Sequence, residues 1–159
     1  MSEALRIAVV AEGYTDLEML KPAIEAMLEG RPFVLTPLQP ETSAAFVNDG
    51  NAGELGGGWV GVCGWCVQSK KLSSGDVQHD PLFRANDLLI IHLDADVAHE
   101  RHQNAPRELE TTLIGHIPCN SPCPPVDASI NPLRTAIQTW LGPSQLPDKV
   151  VLCIPSGVM

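Results

Sequence analysis

The chain has 159 residues, 44% of them hydrophobic and 18% charged, which allows one folded domain over residues 1–159 and disfavours intrinsic disorder. Nineteen acidic residues against ten basic ones give a formal net charge of −9, which argues against a basic surface that holds a phosphate backbone without metal ions or a basic partner. The chain contains no run of about 18 apolar residues and no signal peptide, so we expect a cytoplasmic protein that does not enter a membrane.

The first predicted element is a strand over Arg6–Ala11 (RIAVVA), whose β-branched, apolar residues are typical of a strand buried on both faces of a parallel sheet. It ends at Glu12. Thr15 and Glu18 have the spacing of a capping box, and apolar residues then recur with the period of a helix. Pro22 lies inside this helical pattern, so the helix either kinks there or restarts with Pro22 in its first turn.

The middle of the chain predicts two further strands around a glycine-rich stretch. Phe33–Leu38 is the second strand, and the glycine density of Asn48–Gly64 predicts a stretch that is largely loop. Val60–Leu72 is a candidate helix that overlaps the end of this stretch. Leu88–Leu93 (LLIIHL) has the clearest strand pattern in the chain and is followed directly by acidic residues.

The last third begins with proline-rich sequence, in which Arg107–Ile114 is a predicted short helix followed by an extended loop. Asn131 has the residue type of an N-cap and Pro132 that of a first helical position, which predicts a helix that begins there and stops at Gly142. Lys149–Ile154 (KVVLCI) is a last buried strand. The alternation of strands and helices predicts an α/β domain with a mainly parallel central sheet flanked by helices.

Acidic residues follow two of the predicted strands. Glu12 follows the first strand, and Asp94 and Asp96 follow LLIIHL. If these strands are neighbours, the three carboxylates converge at the carboxyl edge of the sheet, where they suit a hard cation such as Mg²⁺. Residues i and i+2 of a strand point to opposite faces, so this site requires the chain to turn at Ala95. On spacing alone, acids that cap a helix or stay in solvent are an equally good interpretation.

The combination of the two acidic segments resembles a known family. "VVAEGYTDLEML" and "LLIIHLDADVAHE" are similar to the two signature segments of the TOPRIM domain, in particular to small TOPRIM-like proteins related to OLD-family nucleases. The "GGGWVGVCGWC" stretch and the closing "VVLCIPS" also resemble that group, so the similarity extends over most of the chain.

The resemblance implies a TOPRIM-like, Rossmann-like fold and a metal-dependent nuclease that hydrolyses phosphodiester bonds in DNA or RNA. Glu12 matches the glutamate that acts as general acid or base or binds a second metal, and Asp94 and Asp96 match the ligands of Mg²⁺ or Mn²⁺. Nucleic acid, in the first instance DNA, would bind through the metal. Tyr14 is the only tyrosine and lies outside any nucleophile motif, which favours hydrolysis over a tyrosyl intermediate.

Two alternatives stay open beside the nuclease. The chain ends at Met159, whereas TOPRIM relatives continue past the Ile-Pro-Ser segment with further acidic residues, so we expect a shortened carboxyl terminus. A shortened chain favours a catalytically degenerate TOPRIM-like module that binds a protein partner, forms a homo-oligomer or regulates another protein. A nucleotide-sugar transferase that uses Asp-x-Asp on a metal diphosphate is disfavoured by the small size of the chain.

Other chemically active residues have simpler interpretations. The glycine-rich stretch contains no phosphate-loop motif. The pairs Cys63/Cys66 and Cys119/Cys123 have spacings that a structural zinc can use, but their wide separation makes zinc less favoured than buried free thiols. The remaining candidates are His92 as a hydrogen-bonded core residue, His99 and His102 as solvated side chains, and a local basic excess at Lys70, Lys71 and Arg84.

Overall fold

The computed structural model describes residues 3–41, 55–99, 127–142 and 145–156. These residues form four strands and three helices, joined in part by short 3₁₀ turns. The elements are β1 (Leu5–Val10), α1 (Tyr14–Met27), β2 (Phe33–Gln39), α2 (Gly58–Leu72), 3₁₀ turns at Val77–His79 and Pro81–Arg84, β3 (Leu88–His92), a third 3₁₀ turn at Ala95–His99, α3 (Asp127–Leu141) and β4 (Val150–Cys153).

All neighbouring strands run parallel, in the order β2-β1-β3-β4. The predicted α/β domain with a parallel central sheet is therefore confirmed. The chain leaves β1 toward β2 at one edge and then crosses back past β1 to β3 and β4. Because the winding direction reverses beside β1, the carboxyl ends of β1 and β3 flank the topological switch point, where ligands bind in open α/β sheets.

The sheet has a hydrophobic core on each face, as the apolar strand sequences predict. On one face, Leu20 and Ile24 of α1 pack with Ile7 and Val9 of β1. On the other face, α2 and α3 pack with alternate residues of β1 and β3; this larger core includes Ala8, Val10, Val62, Cys66, Leu89, Ile91, Ile137 and Trp140. The packing on both faces of the sheet holds the ends of β1 and β3, which Glu12 and Asp94 follow, in place.

The start of α1 differs from the predicted capping box. Gly13 is the N-cap, and Asp16 in the first turn accepts a hydrogen bond from the Gly13 backbone N–H at 2.8 Å. Thr15 and Glu18 lie inside the helix instead of at its cap. The helix also continues through Pro22, so of the two alternatives left open by the sequence, the restart does not occur. Pro22 is exposed, where water can satisfy the carbonyl left without an N–H donor.

The prediction of a loop over Asn48–Gly64 is wrong for its last seven residues, because α2 begins at Gly58. The helix predicted over Val60–Leu72 is confirmed and starts two residues earlier. Gly61 is buried, and a Cβ added there would lie 2.5 Å from the Gly56 carbonyl oxygen and 2.5 Å from Gln39 Nε2. Glycine here therefore permits close packing of a helix.

The predicted start of α3 at Asn131-Pro132 is also wrong, since the helix begins at Asp127. Pro132 is the sixth residue of this helix, beyond the first four N–H groups that have no intrahelical partner, so it lies inside the helix, as Pro22 does in α1, and does not mark the first helical residue. The predicted end is confirmed: Gly142 follows the helix with φ 99° and donates from its N–H to the Gln138 carbonyl.

Two predictions lie outside the described residues: the helix over Arg107–Ile114 and most of the glycine-rich loop before Leu55. Within the described part of the chain, no helix combines the length and the apolar character needed to cross a bilayer.

Candidate functional site

The carboxyl ends of β1 and β3 bring two of the predicted acids into contact. β1 and β3 are hydrogen-bonded neighbours, with Val10 opposite Ile91, so Glu12 and Asp94 leave the sheet side by side. Glu12 Oε1 accepts a hydrogen bond from the Asp94 backbone N–H at 2.8 Å. Residues 82 positions apart in the chain thus meet at the switch point, as the adjacency of the strands predicts.

The backbone around these acids is held by further hydrogen bonds. The Glu12 carbonyl accepts from the N–H of Gly58, the first residue of α2, at 2.9 Å. On the other side of Asp94, the Ala95 N–H donates to the Pro155 carbonyl at 3.0 Å, which ties the end of β3 to the segment after β4. Two further segments, the start of α2 and the segment after β4, therefore help to fix the backbone around Glu12 and Asp94.

The turn that the site requires at Ala95 is present. A 3₁₀ helix covers Ala95–His99, and the Val97 N–H donates to the Asp94 carbonyl at 3.1 Å. Asp96 is exposed in the first turn of this helix. The chain therefore leaves the extended conformation directly after Asp94, so the alternation of a strand no longer separates the two aspartates.

Glu12 has an unusual electrostatic environment. Burial is the largest cause that raises the pKa of its carboxyl to about 7; the hydrogen bond from the Asp94 N–H acts against it, and the neighbouring carboxylates of Asp94, Asp16 and Asp96 act in the same direction as burial. With a pKa near neutrality, the Glu12 carboxyl is able to take up or release a proton.

Asp94 is shifted in the same direction. Its side chain is 49% exposed, and its pKa is raised by partial burial and by the charges of Asp16 and Asp96, while His92 acts in the opposite direction. Among the described residues, no lysine or arginine forms an ion pair with Glu12, Asp16, Asp94 or Asp96. The carboxyl edge of the sheet therefore concentrates negative charge that no lysine or arginine in the described ranges compensates.

Two residues near the site were not predicted as part of it. Asp16 contributes charge from the first turn of α1, and an acidic residue three positions after Gly13 is the sequence signal that marks it as a capping residue. His92, predicted as a core histidine, is 6% exposed, with Nε2 4.0 Å from Asp94 Oδ1. Its nearness to a site residue follows from β3 ending at His92, which the sequence pattern placed one residue later.

The donor set suits a hard cation in its chemistry, since carboxylate oxygens without basic partners are the ligands that Mg²⁺ prefers. Within the described ranges, no three His, Cys, Asp or Glu side chains are grouped closely enough to bind one ion together. Mg²⁺ commonly binds through one or two carboxylates and completes its shell with water and substrate phosphate. Asp94, with Asp96 and Glu12 nearby, meets that smaller requirement.

The amino terminus of α2 adds a positive end to the same region. Its N-cap, Gly57, makes no side-chain capping hydrogen bond, and its first turn contains no acidic residue, whereas the first turn of α1 contains Asp16. Unpaired N–H groups at a helix amino terminus favour negative charge. Lys70 and Lys71 lie in the last turn of this 15-residue helix, about 18 to 20 Å from Gly58 along its axis, so they are distant from Glu12.

Cys63 and Cys66 lie in the hydrophobic core on the α2 side of the sheet. Both are buried, and burial raises the pKa of the Cys63 thiol to about 12 and that of Cys66 well above its ordinary value. They pack as apolar side chains against the sheet. Cys119, Cys123 and His102 lie outside the described residues, as does the side chain of His99.

Comparisons of the chain with protein-family models, with curated proteins and with solved structures find no match.

Proposed function

We propose that this chain is a TOPRIM-like phosphoryl-transfer domain that hydrolyses phosphodiester bonds in nucleic acid with Mg²⁺ or Mn²⁺. The observation that carries the proposal is the hydrogen bond between Glu12 Oε1 and the Asp94 N–H, which joins the two acidic strand ends at the switch point of the sheet. The resemblance of both segments to TOPRIM signatures supports the same chemistry.

Each acid has a distinct role in the proposed reaction. Asp94, with Asp96 beside it, would hold the cation, which when bound supplies positive charge for the transferring phosphate and a water of lowered pKa. Glu12 exchanges a proton with the attacking water or the leaving oxygen. A general acid or base works best when its pKa lies near the operating pH, and the Glu12 pKa of about 7 meets that condition.

A phosphate at this edge requires the cation, because the acids there repel negative charge, and the surroundings favour little nucleic-acid contact elsewhere. The amino terminus of α2 begins next to Glu12 and supports negative charge there. A net charge of −9 disfavours broad contact with a phosphate backbone, so the substrate would be held mainly through the metal or by a basic partner protein. We propose DNA as the first substrate to test, with RNA as the second.

Cleavage of supercoiled plasmid, linear DNA and RNA with Mg²⁺ or Mn²⁺ tests this function. We expect metal-dependent nicking by the wild-type chain and its loss in Asp94→Ala. Asp87→Asn is the matched control, because Asp87 precedes the same strand but lies at the opposite edge of the sheet, paired with Arg6. Equal cleavage by wild type and Asp94→Ala would contradict the proposal.

A partner-binding or regulatory module is the second candidate. It is favoured by the absence, within the described residues, of three side chains grouped to bind a metal. The same experiment separates the two functions: no cleavage of any substrate, together with no change in Tm on adding Mg²⁺ or Mn²⁺, would support the module and exclude the nuclease.

A further inference from the structure

His92 is a buried polar side chain at the edge of the candidate site. It is the last residue of β3 and is only 6% exposed. Strand alternation places its side chain on the same face as Ile90, which is the face covered by α1. Its register partner on β4 is Cys153. The imidazole is therefore enclosed among apolar neighbours, two residues before Asp94.

The two ring nitrogens of His92 have different surroundings. Nδ1 is buried and has no hydrogen-bond partner among the described residues, whereas Nε2 lies 4.0 Å from Asp94 Oδ1. Buried polar atoms are almost always hydrogen-bonded, because an unpaired donor loses its bond to water without replacement. A neutral imidazole with its proton on Nε2, the nitrogen that faces a carboxylate, leaves no buried donor unpaired on Nδ1, which is then an unpaired acceptor.

The distance of 4.0 Å is too long for a hydrogen bond. A rotation of the Asp94 side chain, which is about half exposed, would shorten it. If Oδ1 comes within reach of Nε2–H, Oδ2 takes no part in that hydrogen bond. The carboxylate then has one oxygen held by the protein and one available to a cation.

We propose that His92 is a positioning residue for Asp94: its Nε2–H donates to Asp94 Oδ1 in the metal-bound state and orients Oδ2 toward the cation. The proposal rests on the proposed function, because it assigns a partner to the carboxylate that would hold the metal. Metal-binding carboxylates are commonly oriented by such hydrogen bonds, and loss of the partner typically weakens metal affinity about 10- to 100-fold.

Three substitutions of His92 distinguish a positioning role for its Nε2–H from a role in packing alone. In His92→Gln the side-chain amide nitrogen lies close to the position of Nε2, and in His92→Asn it lies close to that of Nδ1. His92→Leu fills similar space without a donor. Binding of Mn²⁺ to the intact chain, followed by the electron paramagnetic resonance signal of free Mn²⁺, measures affinity without requiring cleavage.

We expect His92→Gln to bind Mn²⁺ within about threefold of wild type, and His92→Asn and His92→Leu to bind at least about tenfold more weakly. If His92→Leu does not fold, the difference in Mn²⁺ affinity between His92→Gln and His92→Asn still tests the proposal. Equal affinity of the asparagine and glutamine variants would overturn the positioning role.

Asp94→Ala distinguishes failure of this inference from failure of the proposed function. If Asp94→Ala binds Mn²⁺ as tightly as wild type, Asp94 is not a ligand, and both the metal site and the role of His92 are wrong. If Asp94→Ala loses Mn²⁺ while His92→Asn and His92→Leu retain wild-type affinity, the site stands and only the role of His92 is overturned.

Discussion

Acidic residues have opposite electrostatic environments at the two ends of the parallel strands. We call the side where the strands begin the amino edge and the side where they end the carboxyl edge. At the amino edge, Asp87 pairs with the Arg6 guanidinium at 2.7 Å, and its hydrogen bonds with Arg6 lower its pKa to about 2. At the carboxyl edge, burial and neighbouring acids raise the pKa of Glu12 to about 7. β1 contributes to both arrangements, with Arg6 near its start and Glu12 just beyond its end.

Two other acids near the amino edge, Asp80 and Asp76, also have partners. Asp80 accepts hydrogen bonds from the Ser69 hydroxyl and from the Leu82 N–H, and Asp76 accepts from the Gln78 N–H. These acids cap short turns and so contribute to folding. At the carboxyl edge, Glu12 and Asp16 also accept backbone hydrogen bonds, but the charges there repel one another and pair with no lysine or arginine among the described residues. Clusters of this kind are typical of functional sites. Within one sheet, the electrostatic environment of an acidic residue thus distinguishes structural acids, which have partners that stabilise their charge, from candidate functional acids, whose charges repel one another.

The largest expected effect is that a substitution at the carboxyl edge lowers cleavage but not stability, whereas one at the amino edge lowers stability but not cleavage. Glu12→Gln retains an oxygen that can accept from the Asp94 N–H but cannot exchange a proton, so we expect cleavage to fall at least about a hundredfold. Stability of the metal-free protein at pH 7 to 8 should be unchanged or higher, because a repelled charge is removed.

Asp87→Asn should show the opposite pattern, with unchanged cleavage and lower stability, because it loses its ion pair with Arg6. Plasmid cleavage rates and urea unfolding of both variants measure the two effects. Lower stability in Glu12→Gln together with full cleavage would mean that Glu12 is only structural and that the contrast between the edges has no functional meaning.

Gly61→Ala tests whether close packing positions the carboxyl edge. The added Cβ would meet the Gly56 carbonyl and Gln39 Nε2, each at 2.5 Å, so the backbone beside the start of α2 must move. We expect a loss of about 1–3 kcal/mol in the free energy of unfolding, together with slower cleavage. Gln68→Ala, at an exposed position of the same helix, is the control. Equal stability of the two variants would show that the segment adapts without cost.

The pH dependence of stability should differ in sign between the edges. The folded-state pKa of Glu12 is raised from 4.5 to about 7, so the folded state binds more protons in this window and the metal-free protein loses stability as pH rises through it. The loss is on the order of 1–2 kcal/mol once the partial exposure of Glu12 is allowed for. The raised pKa of Asp94 acts in the same direction.

Asp87 contributes with the opposite sign and in a lower window. Its pKa is lowered from 3.8 to about 2, so its contribution is complete above 3.8 and is lost as pH falls toward 2. Urea unfolding of wild type and Glu12→Gln between pH 4.5 and 7.5 measures the upper window. An equal slope in both proteins would show that Glu12 does not titrate there.

The sequence predicted the strands and the meeting of two acids because both follow from local patterns. Apolar, β-branched runs such as the segment ending at Val10 must be buried on two faces, which requires a parallel sheet and places the residues after β1 and β3 at one edge. Because β1 and β3 are neighbours in that sheet, Glu12 and Asp94 lie next to each other. The metal and the nuclease activity remain predictions.

The remaining features depend on tertiary contacts that no local pattern encodes. The glycines after Gly57 resemble a loop, and only the approach of Gln39 and the Gly56 carbonyl shows why Gly61 belongs to a helix. The role of Asp16 depends on which of several polar residues caps α1. The approach of His92 to Asp94 depends on the turn that follows β3. These distances are set by packing between elements.

The smallest expected effect is that of Arg6→Gln at the amino edge. Both partners of the Arg6–Asp87 pair are largely exposed, at 44% and 39%, so solvent screens their attraction. We expect Tm at low salt to fall by about 1–3 °C and the difference to shrink in about 1 M NaCl, where the Debye length is about 3 Å. In an NMR titration, the pKa of Asp87 should return toward 3.8, because its main partner is gone.

Cleavage and Mn²⁺ affinity should not change in Arg6→Gln, since the Arg6–Asp87 pair lies at the edge of the sheet opposite Glu12 and Asp94. A change in Mn²⁺ affinity would show that the two edges are coupled through β1, and the electrostatic separation between structural and functional acids would then fail.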